Sequence, residues 1–135
     1  MAGMNGQGMG SVGSGTQGSS IEIIIDGSEL PITAGIKGDI EVPFDGTINK
    51  VVLLADQVGS IVVDIWEDTY SNYPPTVADS IVAAAKPTLS GANKYSDSVL
   101  TGWTTALTKG NTLRFNVDSA STVTRVLVSL SITKS

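Results

Sequence analysis

The chain has 135 residues, of which 41% are apolar, so it can form one domain with a modest hydrophobic core. Its net charge of −5 argues against phosphate-neutralising nucleic-acid binding and against an anionic membrane surface. Cysteine and histidine are absent, which excludes disulfides, zinc–thiolate sites, cysteine nucleophiles and Ser-His-Asp triads. No run approaches the roughly 20 apolar residues of a membrane span. The charge and the absence of a long apolar run therefore predict no nucleic-acid partner and no membrane insertion, and no cofactor is expected.

The first 20 residues differ from the rest of the chain. They carry no charge and hold seven of the fifteen glycines and all three methionines. One interpretation is a flexible tail, because ordering glycines costs the most backbone entropy. The other is an anchoring arm, residues 1–20, that orders only against a partner. In the second interpretation four apolar side chains would fill pockets on that partner: Met1, Met4, Met9 and Val12.

Residues 21–135 show short, β-branched, partly alternating runs bounded by Gly, Asp, Asn or Ser, which are typical of strands. The predicted strands are residues 21–26, 36–44, 47–55, 60–66, 99–103, 112–117 and 122–133. Asp45-Gly46 predicts a hairpin between the second and third of these strands. The pattern as a whole predicts an all-β domain, a jelly-roll-like antiparallel β-sandwich.

Alternation also predicts which side chains point inward. Asp64 is expected on the outward face of its strand. The predicted core consists of twelve apolar residues: Ile23, Val42, Val52, Leu54, Ile61, Val63, Ile65, Leu113, Phe115, Val126, Val128 and Leu130.

A long excursion, residues 67–92, interrupts the strands. Pro75 can occupy the first turn of one short helix, predicted over residues 77–84. Loops of this length are usually functional or involved in assembly. We expect the excursion to lie outside the core and to face either a sister subunit or the exterior.

Several segments resemble a small β-domain found in structural proteins of tailed bacteriophages. One of them is Gly59-Ser60-Ile61-Val62-Val63-Asp64-Ile65-Trp66. The others are residues 25–27, 32–33, 35–44, 53–57, 68–70, 73–75, 100–103 and 113–117. The resemblance spans roughly residues 21–134 and leaves out the Gly-rich arm.

This resemblance implies a non-enzymatic virion component, and it brings no catalytic residues with it. Two placements are open: a tail fibre or tail-tip protein that contacts the host, or a capsid decoration (cement) protein that stabilises the head. By analogy with phage fibres and decoration proteins we expect a homotrimer, located in the virion and attached to other virion proteins through its N-terminal arm. A soluble carbohydrate-binding module is the alternative from another class.

The candidate ligand or interface residues are mainly aromatic: Trp66, Asp68, Tyr70, Tyr73 and Trp103. Exposed aromatic rings beside acids and amides can stack on the sugars of a host surface glycan. The competing interpretation is that Trp66 covers the core while the tyrosines pack in a subunit interface. Asp64, Glu67 and Asp68 are close enough in sequence to consider a glycosidase pair or a calcium site, but they match neither pattern.

Overall fold

The computed structural model describes residues 17–135, so Met1, Met4, Met9 and Val12 of the predicted anchoring arm lie outside the described residues. The described chain forms an antiparallel all-β structure with two isolated 3-10 turns, Tyr70–Asn72 and Val77–Asp79. The strands are β1 (Gln17–Asp26), β2 (Gly35–Glu41), β3 (Gly46–Asp68), β4 (Thr88–Asp97), β5 (Ala106–Leu107), β6 (Thr112–Ser121) and β7 (Arg125–Lys134).

One long strand, β3, organises the domain. Residues 46–55 of β3 pair with β7, and residues 60–68 pair with β6. On its other side β3 pairs with β4, at residues 51–54 and again at residues 59–62. Two layers result. Layer A contains β1, β7, residues 46–55 of β3 and residues 94–97 of β4; layer B contains β2, β6, residues 60–68 of β3 and residues 88–92 of β4. This confirms the predicted antiparallel, sandwich-like architecture.

The chain passes between the layers near Gly59. The β3–β4 register shifts on both sides of this residue, as expected where a strand bends. A Cβ at Gly59 would lie 2.7 Å from the carbonyl oxygen of Ser121, so only glycine fits there without displacing β6. The strands predicted over residues 47–55 and 60–66 are therefore one continuous strand with a bend.

The core lies between the two layers, where their inward faces form one cluster. Nine of the twelve predicted core residues are buried there: Val42, Ile61, Val63, Ile65, Leu113, Phe115, Val126, Val128 and Leu130. Ile23 is only partly buried, while Val52 and Leu54 lie on the outer face of layer A, and Leu54 is 47% exposed. The register of β3 against β7 shifts between Ile48 and Lys50, which moves Val51 and Leu53 to the inside in their place.

Three local predictions are wrong. Asp45-Gly46 does not form a hairpin, because β2 pairs with β6 and never with β3. Residues 99–103 are loop, and the strand of this region is β4. The short helix predicted over residues 77–84 is a single 3-10 turn, because Ser80 and Ile81 are extended along β3 instead.

The first strand begins earlier than predicted. Gln17 to Ser20, placed in the arm by composition, pair with the end of β7 from Lys134 to Ser131. Uncharged Gly and Ser residues therefore continue an edge strand here. Within residues 17–135 no helix has the length and hydrophobicity needed to span a membrane.

Candidate functional site

The candidate site lies on the outer face of layer B, where the segment 69–87 between β3 and β4 crosses the sheet. The segment begins with a 3-10 turn in which the hydroxyl of Thr69 accepts from the backbone N–H of Asn72 at 3.3 Å. Asp68 Oδ1 accepts from the backbone N–H of Thr69 at 2.7 Å and from the amide of Asn72 at 3.2 Å. These bonds hold the turn beside the end of β3.

Backbone hydrogen bonds attach the rest of the segment to the edge of β3 that β4 leaves open. The N–H of Ile81 donates to the carbonyl of Ile65 at 2.9 Å, and the N–H of Val63 donates to the carbonyl of Pro87 at 3.0 Å. Ile81 and Val82 are buried in the hydrophobic core. The expectation that the whole excursion stays outside the core is therefore wrong. Between β3 and β4, its exposed parts are residues 69–74, 76–78 and 83–84.

A polar network lies beneath the covering segment. Asp64 is 1% exposed, and its carboxylate accepts from the Ser80 hydroxyl at 2.6 Å and lies 3.5 Å from Lys86 Nζ. Lys86 also donates to Asp118 at 2.7 Å, and this hydrogen bond is the main cause of the raised pKa of Lys86. Asp64 lies on the outward face of its strand, as predicted, but the segment 80–87 covers that face and buries the carboxylate. These contacts bind the segment 80–87 to β3 and β6.

A second polar cluster fixes Tyr73. Asp39 on β2 lies opposite Arg114 on β6, and the guanidinium makes a bidentate pair with the carboxylate through bonds of 2.8 and 2.9 Å. The Tyr73 hydroxyl donates to Asp39 Oδ2 at 2.5 Å and accepts from Arg114 Nη2 at 3.0 Å. The guanidinium carbon lies 5.4 Å from the centre of the Tyr73 ring. We call these three residues the Tyr73 clamp.

The clamp changes the ionisation of its members. The hydrogen bond from Arg114 holds the pKa of Asp39 below its ordinary value, against the opposing effect of burial. The same bond raises the pKa of Arg114. Asp39 and Arg114 therefore both stay charged over the physiological pH range, and their ion pair is maintained.

A groove opens beside the clamp, and we call it the Tyr70 groove. Its volume is about 590 Å³. Glu41 and Thr112, at the ends of β2 and β6, contribute to its lining from the sheet, and the 3-10 turn contributes from the crossing segment. The residues that line it are Glu41, Tyr70, Ser71, Tyr73, Gly110 and Thr112.

The structure separates the predicted aromatic residues into two groups. Tyr70 and Tyr73 line the groove and are 84% and 51% exposed. Trp66 is buried on the face of layer B beside Arg114. Trp103 is buried too, and its indole N–H donates to the carbonyl of Ala85 at 2.8 Å, so it supports the crossing segment.

The acids considered for catalysis or calcium binding have separate partners. Asp64 contacts Lys86, Asp68 supports the 3-10 turn, and Glu67 accepts from the amide of Asn111 at 3.0 Å. Burial raises the pKa of Glu67. Within the described range, residues 17–135, no three His, Cys, Asp or Glu side chains are grouped as metal ligands would be.

Sequence reasoning did not identify Asp39 and Arg114 as site residues. In the sequence, the alternation of polar and apolar residues places each of them on the solvent face of an amphipathic strand. Their meeting depends on the pairing of β2 with β6, which the sequence pattern did not reveal. An arginine in the middle of a strand was the one available signal, because such a side chain needs a nearby carboxylate when it is shielded from water.

No protein-family model and no curated protein matches this chain.

Proposed function

We propose that this chain is a non-enzymatic structural protein of a tailed-bacteriophage virion, a tail fibre or tail-tip component that mediates assembly and host contact. One observation carries the proposal. Three separate segments of the phage-like pattern, residues 35–44, 73–75 and 113–117, supply Asp39, Tyr73 and Arg114 of the clamp. Three segments of the resemblance thus contact one another in the fold, which supports the interpretation that the pattern belongs to a single domain.

The N-terminal segment is proposed to attach the domain to other virion proteins. The first described residues support this role. β1 pairs with β7 along its whole length, so strand pairing fixes the chain to the sandwich from Gln17 onwards. Residues 1–16 would then supply the attachment, and residues 17–20 belong to the sandwich.

Self-association is the second part of the proposal, with a homotrimer expected by analogy with phage fibres. The outer face of layer A supports contact between copies. Ile24, Leu127 and Leu54 lie in one cross-strand row, and Ile24 is 62% exposed. Apolar side chains in such a row are favourable at an interface and unfavourable in water.

The test uses particles of the phage that encodes the chain, purified by density gradient and probed with an antibody against residues 17–135. We expect the protein to band with the particles and to appear in a cryo-EM map at the tail. Density on the head instead would identify a capsid decoration protein. Protein found only in the unbanded fraction would overturn virion localisation altogether.

The arm is tested separately by deleting residues 1–16 and leaving Gln17 to Ser20 in place. The shortened chain should fold with an unchanged melting temperature and should no longer bind particles. A full-length chain with residues 1–16 shuffled is the matched control, and it should also fail to bind if the apolar positions matter. Normal occupancy of the shortened chain on particles would show that attachment lies in the sandwich.

A soluble carbohydrate-binding module is the second candidate function, favoured by the exposed tyrosines of the Tyr70 groove. Monomeric glycan binding without particle association would support this candidate over the virion protein.

A further inference from the structure

We propose that the Tyr70 groove binds an uncharged saccharide. This inference rests on the proposed function, because a surface displayed on a virion is where a host glycan would be met. The groove of about 590 Å³ lies within the size range of small-ligand sites, about 300–1,000 Å³. Its lining combines two aromatic rings with a carboxylate and two hydroxyls, the groups that suit the apolar ring face and the hydroxyls of a sugar.

The Tyr73 ring is held in place before any ligand arrives. Its hydroxyl has both a donor and an acceptor partner within the clamp, and Arg114 packs against the ring. A ligand therefore meets a fixed aromatic wall, and binding does not have to order this side chain. Since the Tyr73 hydroxyl is already satisfied, the residue offers its ring and not a new hydrogen bond.

Tyr70 supplies the second ring. It sits in the 3-10 turn stabilised by Asp68 and Thr69, and it is the most exposed of the large hydrophobic side chains at 84%. The capping bonds fix the backbone from which this ring projects, while the exposure of the ring leaves it available to stack on a sugar. Gly110 has a positive φ of 90°, and a Cβ there would meet nothing within 4 Å, so this side of the groove is open.

The charge of the lining selects against acidic ligands. Of the six lining residues, Glu41 is ionisable as a carboxylate and none is lysine or arginine. Arg114 is close, but its guanidinium is engaged by Asp39 and Tyr73. A sialic or uronic acid would bring a second negative charge to Glu41 without a cation to pair with it, whereas a neutral sugar would donate hydroxyl hydrogens to the same carboxylate.

The test is a glycan array carrying neutral oligosaccharides and their sialylated or uronic-acid counterparts, probed with the purified full chain. The best neutral oligosaccharide is then titrated by calorimetry. We expect neutral glycans to bind and their acidic counterparts to bind more weakly. Tyr70→Ala should lower affinity at least roughly tenfold, whereas Tyr70→Phe, which keeps the ring, should retain most of it.

Two further variants sharpen the result. Glu41→Gln should reduce the preference for neutral over acidic glycans, because it removes the charge and keeps an acceptor. Val99→Ala, at an exposed position outside the groove, is the control and should bind like the parent chain. All variants should share one melting temperature, since the substituted residues are exposed.

Three outcomes would overturn the inference: no neutral glycan bound at about 1 mM, stronger binding of acidic glycans, or binding that Tyr70→Ala leaves unchanged. Each of these outcomes is measured with isolated protein. A failure to bind glycans would not contradict virion association, and a failure of virion association would not contradict a measured glycan affinity.

Discussion

Layer A and layer B share β3 and β4, yet a segment of the chain covers the outer face of layer B, whereas no segment within residues 17–135 covers the outer face of layer A. In layer B, β4 pairs with β3 only as far as Val62, and the chain returns along the open edge from Ser80 to Pro87. In layer A, β7 and β4 pair with both sides of residues 51–54, so no edge of β3 remains there to hold a covering loop.

The side chains on the two outer faces consequently differ in their exposure to solvent. Layer B buries Asp64 and partly shields Arg114 from solvent, and gives each a partner of opposite charge. Layer A keeps Ile24 and Leu54 in solvent contact. The covering segment of layer B can position a binding groove, whereas the short apolar row of layer A, with Lys94 beside Leu54, is suited to contact with another protein surface. Substitutions in the two layers can test this contrast.

The common core should dominate stability. Phe115 is fully buried between the layers, so Phe115→Ala should lower the free energy of unfolding by about 3–5 kcal/mol, measured by urea denaturation. Leu54→Ala on the bare face is the matched truncation and should change it by less than about 0.5 kcal/mol. Equal losses for the two variants would mean that Leu54 is buried, in contradiction to the contrast.

The covering segment should contribute next. Val82 is the fully buried anchor of the crossing segment in the core, and Val82→Ala should cost about 2 kcal/mol, from two methyl groups at about 0.8 kcal/mol each and a small cavity. Val77→Ala, in the same segment but 65% exposed, should cost almost nothing. A neutral Val82→Ala would show that the segment lies on the sheet without stabilising it.

The Tyr73 clamp should have a smaller effect on stability and a local effect on mobility. Arg114→Ala should cost about 1 kcal/mol, because the pair is partly exposed to solvent. It should also release Tyr73, seen as faster amide hydrogen exchange in residues 69–73. Arg125→Ala on the exposed face of layer A is the control, and exchange in residues 69–73 should not respond to it.

Acid should reveal the same clamp. Because Asp39 has a lowered pKa in the folded chain, its contribution is complete above its ordinary pKa of 3.8 and is lost as the pH falls below that value. The stability difference between the parent chain and Asp39→Asn should therefore shrink on acidification through this window.

Glu67 should affect the pH dependence of stability in the opposite direction. Burial raises its pKa, so its ionisation costs stability as the pH rises above 4.5, and Glu67→Gln should become more stable relative to the parent chain there. A pH-independent difference in either pair would contradict the assigned environment.

The smallest effect on folding is expected for Leu54→Lys, which places a charge in the apolar row of layer A. At protein concentrations low enough for both chains to be monomeric, the free energy of unfolding should stay within about 0.5 kcal/mol of the parent value. At higher concentration the proposed oligomer should shift towards monomer in sedimentation velocity, because a charge would be buried at the contact. Thr47→Lys, at an exposed position of β3 outside the row, is the control. An unchanged oligomer would move the proposed contact to another face.

The sequence by itself determined the all-β class, most strand positions and most of the core, because alternation reports directly which side chains of a regular strand share a face. It was wrong at Val52 and Leu54, where a register shift in β3 reverses the alternation, and for the chain past Pro75, where pairing with β3 outweighs helix propensity. It singled out Tyr70 and Tyr73, which line one groove in the fold, but gave no reason to join Asp39 and Arg114 to them. These groups meet only in the folded chain, because non-local strand pairing brings together β2, β6 and the crossing segment, and local periodicity carries no information about such pairing.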